Sequence, residues 1–193
     1  MKYILIFSLL LTLFSCKETG LGNNYYYFTE YDARDIGSPY GAIVYKSNNK
    51  NIIENPFIYA DVINCVSNNQ YILALQRPNK ELFYKLIKGD FEFWEKYPHK
   101  TKMDTLLKFP HGSIMLKDIL GLMKKYENQS GKIADSIINN DSYYKKLLAN
   151  KYNYWIIYAI KDSLIGPLNK EEFLQKRNEM KIPEYLQFSH VSK

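Results

Sequence analysis

Cysteine is nearly missing from this chain, with two in 193 residues. Two thiols cannot build a disulfide framework or a four-cysteine zinc site, so a packed core must hold the fold. Arginine is almost as scarce. Of 26 basic residues only Arg34, Arg77 and Arg177 are arginines; the rest are lysines. Phosphate and base-edge recognition favours the planar, bidentate guanidinium, so a net charge of +6 made of lysine points away from nucleic acid. Histidine occurs three times, and there is no His-Glu-x-x-His motif or Asp-rich calcium loop. Nine Gly and seven Pro are too few for a collagen-like or low-complexity chain. No apolar run reaches the about 18 residues expected of a membrane-spanning helix. Tyrosine is plentiful, at 18 residues, in a composition 46% hydrophobic and 24% charged. These proportions and this length suit one globular domain, or one domain carrying a large insertion.

The amino terminus carries the sharpest motif. Lys2 supplies a short positive region, and Ile4 to Phe14 is a largely apolar run of 11 residues, the length of a signal-peptide core. It ends in Leu13-Phe14-Ser15-Cys16, which resembles the lipobox of bacterial lipoproteins, with Leu at −3 and a small residue before the cysteine. Phe14 is bulkier than usual at −2. The resemblance implies cleavage before Cys16 and acylation of its thiol and new amino group. Two or three acyl chains anchor far more firmly than one, at about 0.8 kcal/mol per buried CH₂. Lys17, rather than an aspartate, resembles the sorting pattern of outer-membrane lipoproteins. The expected mature chain is 178 residues at +5, leaving Cys65 without a partner. Cys65 lies in the apolar run Val62-Ile63-Asn64-Cys65-Val66 and reads as a buried, inert thiol.

Apolar spacing predicts an α+β fold: a small antiparallel sheet or barrel-like module with a C-terminal helix and a mostly helical insertion. Residues 1–15 are the signal peptide and 16–24 a lipidated polar tether. Residues 25–78 with 151–185 form the α+β module, 79–150 the insertion and 186–193 a tail. Strands are expected at Tyr25–Phe28, Ala42–Tyr45, Phe57–Val66, Tyr71–Gln76 and Tyr152–Ile160, with a hairpin about Asn68-Asn69. Within 79–150 about four helical pieces are expected, Pro98 and Pro110 bounding a loop, Ser113 capping one helix and Asp141 another. After Gly166-Pro167, Asn169 should cap a last helix with Glu172 at its third position. The insertion holds 13 lysines against 9 acids, so most of the surplus charge lies there.

The side chains that could carry chemistry are better explained otherwise. His99 and His111 each follow a proline and could meet with Asp104 or Asp118 at a metal, but their spacing matches no ligand motif. Ser113 beside His111 lacks a Gly-x-Ser-x-Gly elbow. The acidic pairs Asp32/Asp35 and Glu92/Glu95 read as surface charge, and Glu171/Glu172 as a helix start. No catalytic, cofactor or metal residue is therefore expected. Tyrosine is the remaining feature: Tyr25 and Tyr27 share one strand face and Tyr154 lies on another strand, a candidate partner or ligand surface.

Gly20-Leu21-Gly22-x-x-Tyr25-Tyr26, Asn69-x-Tyr71-Ile72-Leu73-Ala74-x-Gln76 and Tyr154-Trp155-Ile156-Ile157 followed by Gly166-Pro167-Leu168-x-x-Glu171-Glu172-Phe173-x-x-x-Arg177 resemble a family of small bacterial envelope lipoproteins of unknown function. The 79–150 segment departs from that pattern. The strand, Gly-Pro and capped-helix piece is also similar to a stretch of GYF-type peptide-binding domains. The expectation is a lipid-anchored, non-enzymatic envelope protein, held on the membrane at Cys16, that binds another envelope protein. One specific form is an immunity or inhibitor protein. The alternative is a lipoprotein that binds a glycan or small ligand through surface tyrosines.

Overall fold

The computed structural model describes residues 19–28, 41–46, 53–59, 61–96, 106–109, 112–127 and 129–188. Ten strands and five helices lie among them, and the class is α+β, as the sequence indicates. The strands are β1 (Thr19–Gly22), β2 (Tyr25–Phe28), β3 (Ala42–Lys46), β4 (Ile53–Ile58), β5 (Val62–Ser67), β6 (Tyr71–Gln76), β7 (Leu106–Phe109), β8 (Gly112–Met115), β9 (Asn153–Tyr158) and β10 (Ser163–Leu168). The helices are α1 (Lys80–Lys96), α2 (Leu116–Lys125), α3 (Ser130–Asn140), α4 (Ser142–Ala149) and α5 (Lys170–Glu179). No helix among the described residues is long and apolar enough to cross a membrane.

Two open four-stranded antiparallel sheets, ordered β1-β2-β3-β4 and β10-β9-β6-β5, replace the single sheet or barrel-like module expected. The hairpin β5–β6 forms where predicted: the Asn68 side-chain oxygen accepts from the backbone N–H of Gln70 (2.9 Å) and Tyr71 (2.7 Å). Its strand β6 then pairs in full register with β9, from Tyr71 opposite Tyr158 to Gln76 opposite Asn153.

Three local expectations change. Thr19–Gly22, within the expected tether, is a strand paired with β2 through a two-residue turn. That turn needs positive φ at both positions, and Asn23 (48°) and Asn24 (64°) supply it. The expected strand Phe57–Val66 is divided between both sheets, β4 ending at Ile58 in one and β5 beginning at Val62 in the other. Gly41 permits the crossover: its φ is 61°, its carbonyl accepts from Val62 N at 2.8 Å, and a Cβ there would sit 2.8 Å from the Val62 oxygen. Ser113 is not a helix cap but part of β8, which pairs with β7 inside the region expected to be loop and helix.

The helical segment shares its core with the sheets. Phe83, Ile87 and Phe91 recur at i, i+4 and i+8 on α1 and belong to one core with Ile72, Ala74, Trp155 and Ile157 of the second sheet and Leu21 and Tyr25 of the first. Asp141 caps α4 as predicted, accepting from Tyr143 N at 2.8 Å. The opposite face of the second sheet carries Leu73 and Ile156, covered by Phe173, Ile182 and Leu186. Covered on both faces, all six β6 residues are buried.

Helix α5 begins with the predicted capping box, Asn169 and Glu172 exchanging two 2.9 Å hydrogen bonds. Phe173 enters the core, whereas Leu174 stays exposed. The Arg177 guanidinium lies over the Phe173 ring and donates to the carbonyls of Pro183 and Leu186, both at 3.1 Å. It thereby holds the segment after the helix against the sheet.

Candidate functional site

Of the tyrosines singled out from the sequence, Tyr25 is buried, and Tyr27 and Tyr154 are half-buried. Tyr25 is 1% exposed, donates to Asp162 Oδ1 at 2.9 Å and meets the Tyr45 ring edge-on at 5.2 Å. Its hydroxyl titrates well above the usual range, through burial first and the Asp162 acceptor second. Tyr27 is half-buried and donates to the Val62 carbonyl at 2.9 Å. Tyr154 lies under Phe173, ring centroids 4.9 Å apart, with Phe188 6.1 Å away. Tyr25 and Tyr154 are thus packing groups, not an open stacking platform. Period-two alternation places residues on faces correctly, but it does not say that both faces of the second sheet are covered.

Other named residues divide simply. His99, His111, His190, Asp104, Asp32, Asp35 and Cys16 lie outside the described residues. Among the described residues no group of three or more His, Cys, Asp or Glu is placed to hold a metal. Cys65 is half-buried, and burial pushes its thiol up to about 11, as expected of an unreactive cysteine. Glu92 pairs with Lys88 at 3.5 Å and accepts from Ser130 at 3.0 Å, a bridge from α1 to α3.

A polar cleft of about 310 Å³ opens where the two sheets meet, lined by Tyr27, Gly41, Asp61, Val62, Arg77, Asn79 and Leu82. Asp61 and Arg77 form a 2.8 Å ion pair beside it, and Asn79 caps α1 by accepting from Leu82 N at 3.0 Å. The ion pair and the helix cap satisfy the polar groups of Asp61, Arg77 and Asn79 at the cleft.

A second group was not foreseen. Asp90, midway along α1, is largely removed from water, and this pushes its carboxyl up to about 6. Burial first, and the Asp90 charge after it, raise Tyr59 on the link between β4 and β5; burial is also the main cause for Tyr144 of α4, to which Asp90 adds least. The sequence signal was weak: an aspartate one position before Phe91 of the buried stripe. A folded-state value above the ordinary 3.8 means that the charged form opposes folding. The cost is complete above about pH 6 and fades as pH falls from there toward 4. Asp90→Asn is therefore expected to stabilise the protein at pH 8 by up to about 3 kcal/mol, and to leave it unchanged near pH 3.5. Denaturant unfolding of both chains across pH 3.5–8 checks this. Parallel curves would show that the carboxylate is solvated.

Lysine carries much of the exposed charge of α2 and α3. Lys124 and Lys125 close α2, and Lys132 lies in the first turn of α3; all three are exposed. Glu127 in the connecting turn is the acid nearest Lys124 and Lys125 in sequence, and Asp135, one turn on along α3, is nearest Lys132. By contrast, Lys85 is tied to Glu81 at 2.7 Å.

Comparison with known proteins extends this only in part. No curated protein and no solved structure matches the chain. Residues 122–192 match the model of a family described as "Protein of unknown function (DUF3997)", a stretch that begins in α2 and runs through α3, α4, β9, β10 and α5.

Proposed function

We propose that this protein is a lipid-anchored lipoprotein of the bacterial envelope, outer membrane by its Lys17, that works by binding another envelope protein. The observation that carries the reading is Leu13-Phe14-Ser15-Cys16 at the end of an 11-residue apolar core. Labelled palmitate should enter the wild-type chain and be lost completely from Cys16→Ala, with the variant released from the membrane fraction. Label retained at full level in the variant would end the proposal.

For the partner, the lysine surplus of 79–150 supports an acidic protein, of the kind an immunity or inhibitor protein would block. Deleting that segment is not a usable test, because its helices complete the shared core. Reversing charge at Lys124 and Lys125 leaves the buried stripe untouched. K124E/K125E is expected to weaken capture of the partner about tenfold in low salt, with the difference shrinking at 0.5 M salt. Binding that ignores both changes would remove the acidic-partner form of the reading.

A further inference from the structure

Two residues, Lys17 and Glu18, separate Cys16 from Thr19, the first residue of β1. Three Cα-to-Cα steps reach at most about 11 Å even when fully extended. The polar layer on one side of a bilayer is about 5–7 Å deep. If Cys16 is acylated, as proposed above, Thr19 cannot move more than a short distance from the head groups. Thr19 also belongs to the folded body: it pairs with Tyr27, and Leu21 two residues later is 5% exposed in the main core. The membrane therefore holds the sheet itself, with almost no free tether.

The register shows which end is held. Thr19 lies beside Tyr27, Phe28 follows opposite Ala42, and Gly41 bonds to Val62 at the start of β5. Val62 pairs with Gln76, and Gln76 with Asn153, so Arg77, Lys80, Lys151 and Tyr152 flank the same strand ends. Arg77 and Tyr152 are close enough to interact electrostatically. The other end carries the turns at Asn23-Asn24, Asn68-Asn69 and Ile160–Asp162, tied together by Asn23 Nδ2 donating to the Asn69 carbonyl at 2.8 Å and by the bond from Tyr25 to Asp162. Six-residue strands set the two ends about 20 Å apart.

Charge at the Thr19 end suits a lipid surface. Asp61 is neutralised by Arg77 and Glu81 by Lys85. The Lys80 ammonium donates to the neutral Asn139 Oδ1 at 3.0 Å, and Lys151 sits 5.5 Å from the Tyr152 ring. Lysine beside tyrosine is the pairing that membrane interfaces favour. The start of α5 follows Leu168, which pairs with Tyr154, so Lys170, Glu171 and Glu172 lie at this same end but on the opposite face of the second sheet from β1, where Lys170 offsets one acid and the capping box with Asn169 holds Glu172.

We propose that the strand ends bearing Arg77, Lys80, Lys151 and Tyr152 are seated on the phospholipid head groups of the anchoring leaflet, with the Asn23, Asn68 and Ile160 turns facing away. The test uses the full lipidated chain in vesicles of phosphatidylethanolamine and phosphatidylglycerol, with a thiol-linked fluorophore at Tyr152→Cys, at Ala149→Cys as a second position on that end, or at Lys161→Cys. Wild-type chain labelled in parallel corrects for Cys65. A nitroxide-head-group lipid is expected to quench both seated-end labels at least threefold more than the label at 161. Equal quenching, or stronger quenching at 161, on chain that sediments with the vesicles overturns the orientation alone. Chain recovered without acyl groups and unable to sediment overturns the lipid anchor and the orientation together.

Discussion

Gly166→Ala is expected to cost about 4 kcal/mol of folding stability, by combining backbone strain with overpacking. Gly166 has φ of 141°, a region that side chains bearing a Cβ rarely enter. A Cβ built there would stand 2.8 Å from Cδ2 of Trp155, closer still to Cε3, and 3.0 Å from the Tyr154 carbonyl. Neither neighbour can yield. Trp155 is 1% exposed in the main core, and Tyr154 is held under Phe173. For a chain of this size the loss corresponds to a fall in melting temperature of roughly 10 °C. Thermal or denaturant unfolding would show it; a loss below about 1 kcal/mol would mean that β10 shifts away from the indole at little cost.

Gln76→Met should destabilise by a similar amount, about 4 kcal/mol, although it replaces a polar side chain with an apolar one of comparable length. Gln76 is 1% exposed and joins three elements. Its Nε2 donates to the Tyr59 carbonyl at 2.6 Å, while its Oε1 accepts from Trp155 Nε1 at 2.9 Å and from Asn153 Nδ2 at 3.3 Å. Asn153, fully buried, also donates to the Leu147 carbonyl at 2.7 Å, so it keeps one partner. The indole N–H and the Tyr59 carbonyl lose the bonds Gln76 gave them. Each buried polar group left unsatisfied costs about 1–3 kcal/mol. Equilibrium denaturation with an unchanged m-value would report the loss as stability rather than as a change in the denatured state. A variant within 1 kcal/mol of wild type would show that water reaches these groups.

These two sites show why some of the fold could be read in advance and some could not. Gly166 stood out in the sequence as part of a Gly-Pro step before a capped helix, because that chemistry involves adjacent residues. The capping box at Asn169 and Glu172, the cap at Asp141 and the Asn68 turn were legible for the same reason. Gln76 and Asn153 were not, since a polar residue at each end of two strands 77 positions apart carries no mark of its partner. The division of Phe57–Val66 between two sheets was also hidden. Nothing in Tyr59-Ala60-Asp61 marks it; the division follows from Val62 pairing with Gly41. Strand β1 was missed because Gly-Leu-Gly has little strand propensity, and pairing with the tyrosines of β2 holds it. The hairpin β7–β8 left a usable signal, Pro110-His111-Gly112 between apolar runs, which was outweighed by the helical spacing around it.

The candidate surfaces divide along the same line. The proposed anchor at Cys16 and the lysine surplus of 79–150 are properties of contiguous residues and required no fold. Tyr25 and Tyr154 were placed on the right strand faces, yet their burial depended on Asp162, Phe173 and Phe188, which arrive from distant segments. Asp90 was likewise unremarkable until the fold buried it within electrostatic reach of Tyr59 and Tyr144. Turns and caps are settled by hydrogen bonds spanning a few residues, and those survive in any tertiary context. Which faces meet water and which carboxyl loses it depend on non-local pairing, because desolvation is a property of whatever packs on top.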